Sequence, residues 1–377
     1  MTKPQTYAQV GVDVDIEAKA ARILYEASKK TWANRSKTLG EVIVPFDDFA
    51  GLRFVRVDNL PAGTVMYGGS DGVATKAELA ERADRFDTLA YDLLAMVCDD
   101  AVIRGGEPIL LKSVLDMNTL GEDDSRLHYI EELAKGYTAA AKEAGVVIIN
   151  GELAQLNNRM GRLDHFSLDW SADVTWFAHE SRLISGRDIQ PGQAIVGLTE
   201  TGLRCNGISL VRRLLEAEYG THWETADFAG GKLIEVALQP SQIYTTAVVD
   251  MFGGYDLKRP AKAKLSGAAH ISGGGIPEKL GRLLRASGYG AKVDSPFTPC
   301  DLMLHCQEIG GVTDREAYRT WNMGQGMVLV TSEPDAVIKV ASSHQIDAKI
   351  IGHITKEPSI RIASQGHFAK EETWLEY

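Results

Sequence analysis

The spacing of apolar residues along the chain predicts alternating helices and strands. Apolar residues recur at helical spacing in five segments, which are residues 17–30, 85–105, 126–144, 206–219 and 272–284. Short apolar runs predict strands at residues 146–149, 194–198 and 327–331. Residues 165–177 alternate strictly between apolar and polar types, so we expect a strand with one buried face. The apolar set of that strand is Phe166, Leu168, Trp170, Ala172, Val174 and Trp176.

The order of these elements indicates a mixed α/β chain of two domains. The stretch HESRLISGRDIQPGQ at 179–193 is rich in charge and contains a Pro-Gly turn, which is typical of a boundary between domains. We therefore predict an N-terminal domain at 1–179 and a C-terminal domain at 180–377. Residues 28–42 are polar and contain glycine, which predicts a mobile loop, and the polar tail from Lys356 is expected to dock loosely.

Composition narrows the class of protein. At 377 residues, with 44% hydrophobic and 24% charged residues, the chain is long enough for two buried cores. The net charge of −11 and the absence of a basic run argue against nucleic acid as a partner. No apolar run approaches the roughly 18 residues that a membrane span needs, and no signal core precedes the first helix. The four cysteines form no C-x-x-C pair, so we expect reduced thiols and a cytoplasmic protein.

The sequence GGSDGVATK at 68–76 is the first stretch with chemical potential. It follows Thr64–Tyr67, which resembles the end of a buried strand. Gly69 and Gly72 allow close approach of a ligand to the backbone, Thr75 and Lys76 suit phosphate, and Asp71 suits a bridging cation. It is not a Walker A motif, in which the lysine directly follows the last glycine. The alternative is a tight turn with a solvated Lys76.

Three carboxylates on the helix at 85–105 form the second candidate group. Asp100 falls on the apolar stripe of Leu89, Leu93, Met96 and Ile103, where an uncompensated charge is costly. Asp92 and Asp99 share another face, roughly 10 Å apart along the axis. A polyphosphate with more than one magnesium ion could connect them to Asp71. The alternative, a solvated face, suits Asp99 better than Asp100.

Three further stretches contain candidate ligand-binding residues. Glu152 follows an apolar strand, and ligands of α/β sheets gather at the carboxyl ends of strands. Gly273, Gly274 and Gly275 precede a helix and are able to form a backbone nest for an anion, or else a flexible linker. His270 just before them is, taken alone, more often a core histidine than a catalyst.

Asn206 and Gly207 stand at the start of the helix that ends at 219. An asparagine at this position is favoured as an N-cap on physical grounds. A ligand contact at the same place is the second interpretation.

Taken together, these stretches resemble the aminoimidazole ribonucleotide synthetase family, also called phosphoribosylformylglycinamidine cyclo-ligase. The resemblance covers roughly 300 residues in colinear order, far more than a lone motif. It is found in GVDVD (11–15), GGSDGVATK, FDTLAYDLLAMVCDD (86–100), GGEP (105–108), NGELA (150–154), CNGISLVRRLLE (205–216), AHISGGG (269–275) and YRTWNMGQGM (318–327). The family fold implies an N-terminal α/β domain whose sheet joins that of a second subunit in a barrel, and a C-terminal α/β domain.

The resemblance also implies an activity. ATP phosphorylates the formamide oxygen of formylglycinamidine ribonucleotide, an amidine-side nitrogen attacks the activated carbon, and phosphate leaves. It implies ATP and Mg²⁺ as cofactors, a small ribonucleotide substrate and a homodimer. By matching positions, the magnesium and nucleotide carboxylates are Asp71, Asp92, Asp100 and Glu152, with Asp99 near the cofactor. Other matched positions are Thr75, Lys76, His270 and Gly273–Gly275 for the phosphates and the facing half of the cleft, and Arg204, Asn206, Gly207 and Asn322 for the substrate.

The chain departs from the family pattern at several positions. Ala74 stands where the family has glycine, Arg204 where it has histidine, and NGELAQL at 150–156 where it has Gly-Gly-Glu-Thr-Ala-Glu-Met. The residues matched to the substrate therefore differ more from the family pattern than the residues matched to ATP do. An Arg204 that grips a substrate phosphate is our expectation, with a solvated arginine as the alternative.

Relatives with the same architecture supply the alternative functions. The first cysteine is Cys98, which argues against a selenophosphate synthetase, and the chain ends in Tyr377 rather than the cysteine of a hydrogenase-maturation relative. The glutamine-dependent synthetase of the preceding purine step is often much longer. A thiamine monophosphate kinase, or a dimeric nucleotide-binding module without turnover, stays open.

Overall fold

The computed structural model describes residues 13–44, 53–161, 165–370 and 373–377. Within them the chain forms two main sheets, one of four strands and one of seven, with helices packed against both. The strands are β1 (Val42–Ile43), β2 (Phe54–Val55), β3 (Thr64–Gly72), β4 (Glu107–Met117), β5 (Val147–Gln155), β6 (Leu168–His179), β7 (Ala194–Thr199), β8 (Asp227–Phe228), β9 (Gly231–Lys232), β10 (Leu265–His270), β11 (Gly290–Val293), β12 (Gln325–Thr331), β13 (Ala348–Thr355), β14 (Ile360–Ala363) and β15 (Trp374–Glu376). The helices are α1 (Val14–Thr31), α2 (Lys76–Ala83), α3 (Leu89–Val102), α4 (Leu127–Ala144), α5 (Ile208–Tyr219), α6 (Leu233–Ala237), α7 (Thr245–Phe252), α8 (Gly275–Leu284), α9 (Asp301–Gly310), α10 (Asp314–Thr320) and α11 (Pro334–Ser343).

The first sheet has the order β3-β6-β4-β5 and carries its helices on one face. Strand β6 pairs antiparallel with both β3 and β4, and β4 pairs parallel with β5. The predicted alternation in β6 is confirmed, since Trp170 and Val174 are buried while Asp169 and Ser171 are exposed. Trp176 is only half-buried and packs against the ring of Tyr67 at a centroid distance of 5.5 Å.

The second sheet has the order β10-β12-β7-β13-β11-β14-β15. All seven residues of β12 are buried, as expected for a strand in the interior of a sheet with both faces covered. Strand β10 is an edge strand that ends at His270 and leads through a glycine-rich loop into α8. This places a histidine and the start of a helix at one corner of the sheet.

Two sequence-based expectations about loops are wrong. Residues 28–42 were expected to form a mobile loop, but Trp32 donates from Nε1 to the carbonyl oxygen of Ile148 at 3.1 Å and Arg35 pairs with Glu107 at 2.7 Å. The tail from Lys356 does not dock loosely, because β14 and β15 extend the second sheet by two strands. In both cases the partners lie far away in sequence, so local polarity did not indicate them.

Helix α3 lies at the junction of the two halves. It packs on β3 and β6 on one side and on α7 and β10 on the other, which explains why twelve of its residues are buried. The first sheet ends at His179 and the second begins at Ala194, while the boundary near residue 180 stays a prediction. No helix in the described part of the chain is both long and apolar enough to span a membrane.

Candidate active site

Strand β3 brings Asp71 to the junction of the two halves. The strand does not end at Tyr67 but continues through the glycines to Gly72, because β6 pairs with it along its whole length. The N–H of Gly72 donates to Asp71 Oδ1 at 2.7 Å. Burial raises the pKa of Asp71 above its ordinary value, and the negative charge of Asp100 adds to this rise. Asp71 and Asp100 therefore lie near enough for the charge of one carboxylate to act on the pKa of the other.

The turn after β3 is strained at Ala74. Its φ of +48° lies in the left-handed region, which costs a residue with a Cβ about 1–2 kcal/mol relative to the right-handed one. Glycine adopts this conformation freely, and the resemblance places glycine here. The turn leaves Ala74 and Thr75 exposed at the start of α2, so Thr75 as a phosphate contact stays a prediction.

His270 connects two charged residues of opposite sign. Its Nδ1 lies 2.6 Å from Asp100 Oδ1, and its Nε2 lies 2.8 Å from the Arg204 Nη2 atom. Arginine only donates, so Nε2 accepts and the ring proton sits on Nδ1, where it is donated to Asp100. Burial, and then the charge of Arg204, lower the pKa of His270. The imidazole is therefore neutral and held in one tautomer.

The positions of Asp99 and Asp100 are the reverse of the sequence-based expectation. The Asp100 side chain is 55% exposed, whereas Asp99 is fully buried. Asp99 accepts from the N–H of Tyr244 at 3.0 Å and from Thr245 Oγ1 at 2.9 Å. Burial raises the pKa of Asp99 to about 6, although the charge of Arg204 opposes the shift. Asp99 is therefore held in the protein interior, and its predicted place near the cofactor stays a prediction.

The Arg204 side chain is buried and held by ion pairs. Its side chain is 2% exposed and pairs with Glu200 at 2.8 Å and with Asp99 at 3.1 Å. It also donates to the carbonyl oxygen of Gln242 at 3.0 Å. The alternative, a solvated arginine, is therefore wrong, whereas the substrate contact stays a prediction: Arg204 lines a small cavity together with Asn206 and Asn322. Arg204 also joins α3 to the C-terminal half.

Lys76 and Asp92 form a second buried ion pair across the same junction. Both side chains are fully buried and their charged atoms lie 2.6 Å apart. Lys76 Nζ also donates to the carbonyl oxygens of Leu203 at 2.6 Å and Gln239 at 2.8 Å, so its three protons are all used. Ser241 donates to Asp92 from its hydroxyl and its backbone N–H. Lys76 and Asp92 thus have a structural role at this junction, and the phosphate role of Lys76 and the metal role of Asp92 stay predictions.

Glu152 lies apart from the other predicted carboxylates. It is in the middle of β5 and not at the end of a strand, because the strand continues to Gln155. Its register partners across the sheet are Val114, Ser171 and Gly72, so it shares a face with Gly72. Asp71 is one residue away on β3 and points to the opposite face. The predicted metal set of Asp71, Asp92, Asp100 and Glu152 stays a prediction, in which Glu152 and Asp71 lie on opposite faces of the first sheet.

The glycine-rich loop after β10 borders the same cleft. Gly274 and Gly275 both have left-handed φ angles, and a Cβ at Gly275 would overlap the carbonyl oxygen of Tyr318. Helix α8 begins at Gly275 and places Lys279 near enough to Asp71, Asp100 and His270 to act on their pKa values. A backbone nest for an anion at this loop stays a prediction.

The predicted substrate residues near the start of α5 have mixed outcomes. Gly207, with φ of +80°, holds the N-cap position that was favoured for Asn206. Asn206 instead keeps its Oδ1 buried without a partner in the described part of the chain. Asn322 is 4% exposed and is used structurally, since it donates to the carbonyl oxygen of Gly202 and accepts from the N–H of Gly324.

A cavity of about 100 Å³ opens beside Asp100 and His270, between α3, β10 and α8. Its walls include three cationic residues that sequence reasoning missed, which are Arg104, Lys279 and Arg282. Arg104 lies in the turn after α3, and Lys279 and Arg282 lie on α8 more than 170 residues away, so no motif spacing indicated them. The described residues contain no cluster of three or more His, Cys, Asp or Glu side chains arranged for a metal. The site thus offers two carboxylates, a neutral imidazole and a basic wall to an anionic ligand.

Comparison with known proteins gives the family. The model of the AIR synthase related protein, N-terminal domain, matches residues 47–169, and that of the C-terminal domain matches residues 190–364. Curated proteins named phosphoribosylformylglycinamidine cyclo-ligase are similar over nearly their whole length. The one from Pyrococcus furiosus is 31% identical, covering 96% of this chain and 98% of its own. The one from Oceanobacillus iheyensis is 30% identical, covering 94% and 98%.

Solved structures show the same fold at low identity. A thiamine-monophosphate kinase from Stenotrophomonas maltophilia has a TM-score of 0.61 at 16% identity, over 91% of this chain and 96% of its own. A hydrogenase maturation protein HypE in complex with ATP has a TM-score of 0.57 at 15% identity, over 86% of each chain. With both domain models matched in order and full-length relatives above 30% identity, the chain belongs to the AIR synthase related family.

Proposed function

We propose that this protein catalyses the ATP-dependent ring closure of formylglycinamidine ribonucleotide to aminoimidazole ribonucleotide, a step of purine biosynthesis. The observation that carries the proposal is the end-to-end similarity to proteins named phosphoribosylformylglycinamidine cyclo-ligase. The cleft supports it, because Asp71 and Asp100 of the first half lie beside His270 and Lys279 of the second. A cleft between two halves can hold ATP and the ribonucleotide side by side. This suits a phosphoryl transfer from ATP, followed by the attack of one group of the ribonucleotide on another.

The bonds that change define what the site must do. The formamide oxygen takes the γ-phosphoryl group of ATP, an amidine-side nitrogen bonds to the activated carbon, and the oxygen leaves as part of inorganic phosphate. Charge builds up on the phosphoryl oxygens during both steps. The residues of the cleft act mainly by holding the reacting groups together and by stabilising this charge.

Asp71 and Asp100 are suited to hold magnesium. Mg²⁺ prefers oxygen ligands and usually binds one or two carboxylates together with substrate phosphates, so a pair of carboxylates is a sufficient protein contribution. The exposure of Asp100 leaves it accessible to such an ion. When bound there, the ion would neutralise charge on the transferred phosphoryl group. His270 donates its Nδ1 proton to Asp100, which fixes the orientation of that carboxylate.

The basic wall is suited to the phosphate of the ribonucleotide. Lys279 and Arg104 project into the cavity beside His270, and Arg282 borders it while pairing with Glu278 at 2.6 Å. The N-terminal end of α8 adds partial positive charge at the neighbouring glycine-rich loop. We assign the substrate phosphate to this side and not to Arg204.

The proposal extends to the assembly. We expect a cytosolic homodimer in which the open face of the first sheet meets its copy and closes a barrel. Exposed Val65, Met66, Tyr67 and Val114 on the first sheet support this arrangement, since they leave apolar surface without cover.

The test is a reaction with purified protein, formylglycinamidine ribonucleotide and Mg-ATP. We expect ADP and aminoimidazole ribonucleotide to form in equal amounts, and Asp71→Asn to lower magnesium-dependent ATP binding. ADP formation only with thiamine monophosphate would replace the proposal by a kinase function. ATP binding without turnover of either substrate would indicate a nucleotide-binding module.

A further inference from the structure

Glu107 is a buried carboxylate at the junction that has no part in the proposed reaction. It begins β4, directly after the turn at 103–106 that follows α3, and it is 3% exposed. Its Oε1 atom accepts from Arg35 Nη1 at 2.7 Å, and its Oε2 atom accepts from Arg259 Nη2. Arg35 follows α1 and Arg259 follows α7, so a single carboxylate joins the two halves of the molecule.

The turn at 103–106 has little room to move. Gly105 has a φ of +80°, and a Cβ at this residue would overlap the carbonyl oxygen of Arg182. A Cβ at Gly106 would overlap the indole ring of Trp176. Glycine is therefore required at both positions of this packing. The turn lies between β6 and the segment that links the two sheets.

The linking segment is itself tied to the loop that carries Arg259. Arg182 donates from Nη1 to the carbonyl oxygen of Gly253 at 2.7 Å and from Nη2 to that of Arg259 at 2.8 Å. Arg259 Nε donates to the carbonyl oxygen of Gly253 at 2.8 Å. Glu107 is therefore part of a network of hydrogen bonds that surrounds the turn at 103–106.

Arg104 is the residue of this turn that reaches the cleft. Its side chain lines the cavity beside Asp100 and His270. It is exposed and has no hydrogen-bond or ion-pair partner among the residues that the structure describes. The position of its guanidinium group therefore depends on the backbone of the turn. Asp100 differs, because it belongs to α3, which the buried ion pairs of Asp92 and Asp99 hold in place.

We propose that Glu107 is a positioning residue that acts through Arg104 on the phosphate of the ribonucleotide. By accepting from Arg35 and Arg259 together, it holds the turn at 103–106 between the two halves, and the turn directs Arg104 into the cavity. The inference rests on the proposed ring closure, in which the basic wall binds the substrate phosphate. The role needs a carboxylate, because a glutamine would present an amino group, which cannot accept, to one of the two guanidinium groups.

The test is steady-state kinetics of Glu107→Gln with each substrate varied in turn. We expect the KM for the ribonucleotide to rise about 10-fold, because a displaced guanidinium group loses a charge-assisted contact with phosphate. The KM for ATP should change by less than about 2-fold, since Asp100 stays in place on its helix. Glu78→Gln is the matched control and should change neither KM, because Glu78 also pairs with two arginines, Arg82 and Arg212, but does not contact the turn.

A double-mutant cycle shows whether Glu107 acts through Arg104. Arg104→Ala should raise the ribonucleotide KM at least as much as Glu107→Gln does, and the combined variant should raise it no further than Arg104→Ala alone. Effects that multiply would mean that Glu107 acts by another route, and would overturn the proposal. Arg259→Gln is the second variant should Glu107→Gln fail to fold, since Arg259 is 35% exposed and its loss leaves the Arg35 pair in place. It should shift the ribonucleotide KM in the same direction.

Hydrogen exchange followed by mass spectrometry gives a readout that needs no turnover. The N–H groups of Arg104, Gly105 and Gly106 donate to carbonyl oxygens in the last turn of α3. We therefore expect the peptide that contains them to exchange faster in Glu107→Gln than in the parent protein, and at the parent rate in Glu78→Gln. Unchanged exchange in Glu107→Gln would overturn the proposal.

Binding of ribose 5-phosphate separates this proposal from the ring-closure function. A parent protein that does not close the ring contradicts that function alone. Calorimetry with ribose 5-phosphate then decides on Glu107, and we expect binding about 10-fold weaker in both Glu107→Gln and Arg104→Ala. Equal affinity in Glu107→Gln and the parent protein, or no binding to the parent protein, would overturn the positioning role.

Discussion

Arg204 is a charged residue whose role depends on burial. It contacts two carboxylates and one imidazole in a place where its side chain is 2% exposed. A buried pair adds little net stability over apolar residues, but removing one partner leaves a charge without compensation. The same guanidinium also holds the tautomer of His270, so stability and site geometry are coupled at this residue.

Replacing Arg204 by alanine should lower stability more than substrate affinity. We expect the free energy of unfolding to fall by about 3–5 kcal/mol, because Asp99 and Glu200 stay buried without their partner. Urea denaturation followed by circular dichroism measures this loss. Arg213→Ala on the exposed side of α5 is the control and should change stability by less than about 0.5 kcal/mol. A stable variant with a raised KM for the ribonucleotide would return Arg204 to the substrate site.

Asp100 should show the opposite behaviour. Asp100→Asn keeps an acceptor for His270 Nδ1 and lies at the surface of the cleft, so we expect stability to change by less than about 1 kcal/mol. Turnover should fall by at least about 100-fold, because a neutral amide stabilises a cation and the reacting phosphoryl group poorly. Steady-state kinetics measures this, with Asp227→Asn as an exposed control. Retained turnover would remove Asp100 from the cation site.

Helix α3 determines how the two halves meet. It carries Asp92 and Asp99, which pair with Lys76 and Arg204 respectively, and both pairs contact backbone groups of the C-terminal half. The exposed Asp100 follows directly in the sequence and faces the cleft. One helix therefore fixes the junction with two carboxylates and supplies the site with a third.

The Lys76–Asp92 pair is testable by a double-mutant cycle. Lys76→Met alone should destabilise by about 3–5 kcal/mol, since Asp92 loses its buried cation. Lys76→Met combined with Asp92→Leu should cost less than the sum of the two single variants, because no unpaired charge remains. Thermal unfolding monitored by circular dichroism gives all four values. Additive losses would mean that the two side chains do not interact.

Periodicity predicted the elements better than it predicted the site. The helices at 126–144 and 206–219 were found within two residues, because their amphipathic pattern is local. The strand predicted from the sequence ended at Tyr67, because the glycines that follow are typical of a turn. Strand β3 continues to Gly72 because it pairs with β6, which the local sequence does not show. Asp99 and Asp100 were interchanged because α3 is buried on several sides, where a single apolar stripe no longer identifies the solvent face. Ion pairs such as Arg204–Asp99 join residues 105 apart, which spacing cannot show.

In the single chain, part of the first sheet exposes apolar side chains to solvent. Val65, Met66 and Tyr67 of edge strand β3 are 41%, 63% and 65% exposed. Trp170, on the apolar face predicted for residues 165–177, contributes nothing to this surface, because it is buried within its own chain against Tyr137. The apolar surface that supports a dimer is therefore on β3.

A homodimer should appear in light scattering at micromolar concentration. We expect a mass near twice the 41.1 kDa of one chain. Glu substitution at both Met66 and Tyr67 should shift the mass toward that of the monomer, because charge on an apolar contact opposes association. The exposed pair Glu216 and Glu218 on α5, changed to glutamine, serves as a control. A monomeric parent protein would contradict the proposed assembly.

The ring-closure mechanism is tested most directly by the fate of one oxygen atom. Formylglycinamidine ribonucleotide labelled with ¹⁸O in its formyl group is incubated with the protein and Mg-ATP, and the inorganic phosphate is analysed by mass spectrometry. We expect one ¹⁸O atom per phosphate and an equal amount of aminoimidazole ribonucleotide, because the formamide oxygen leaves on the transferred phosphoryl group. Unlabelled phosphate, or ATP hydrolysis without the imidazole product, would contradict the proposed function.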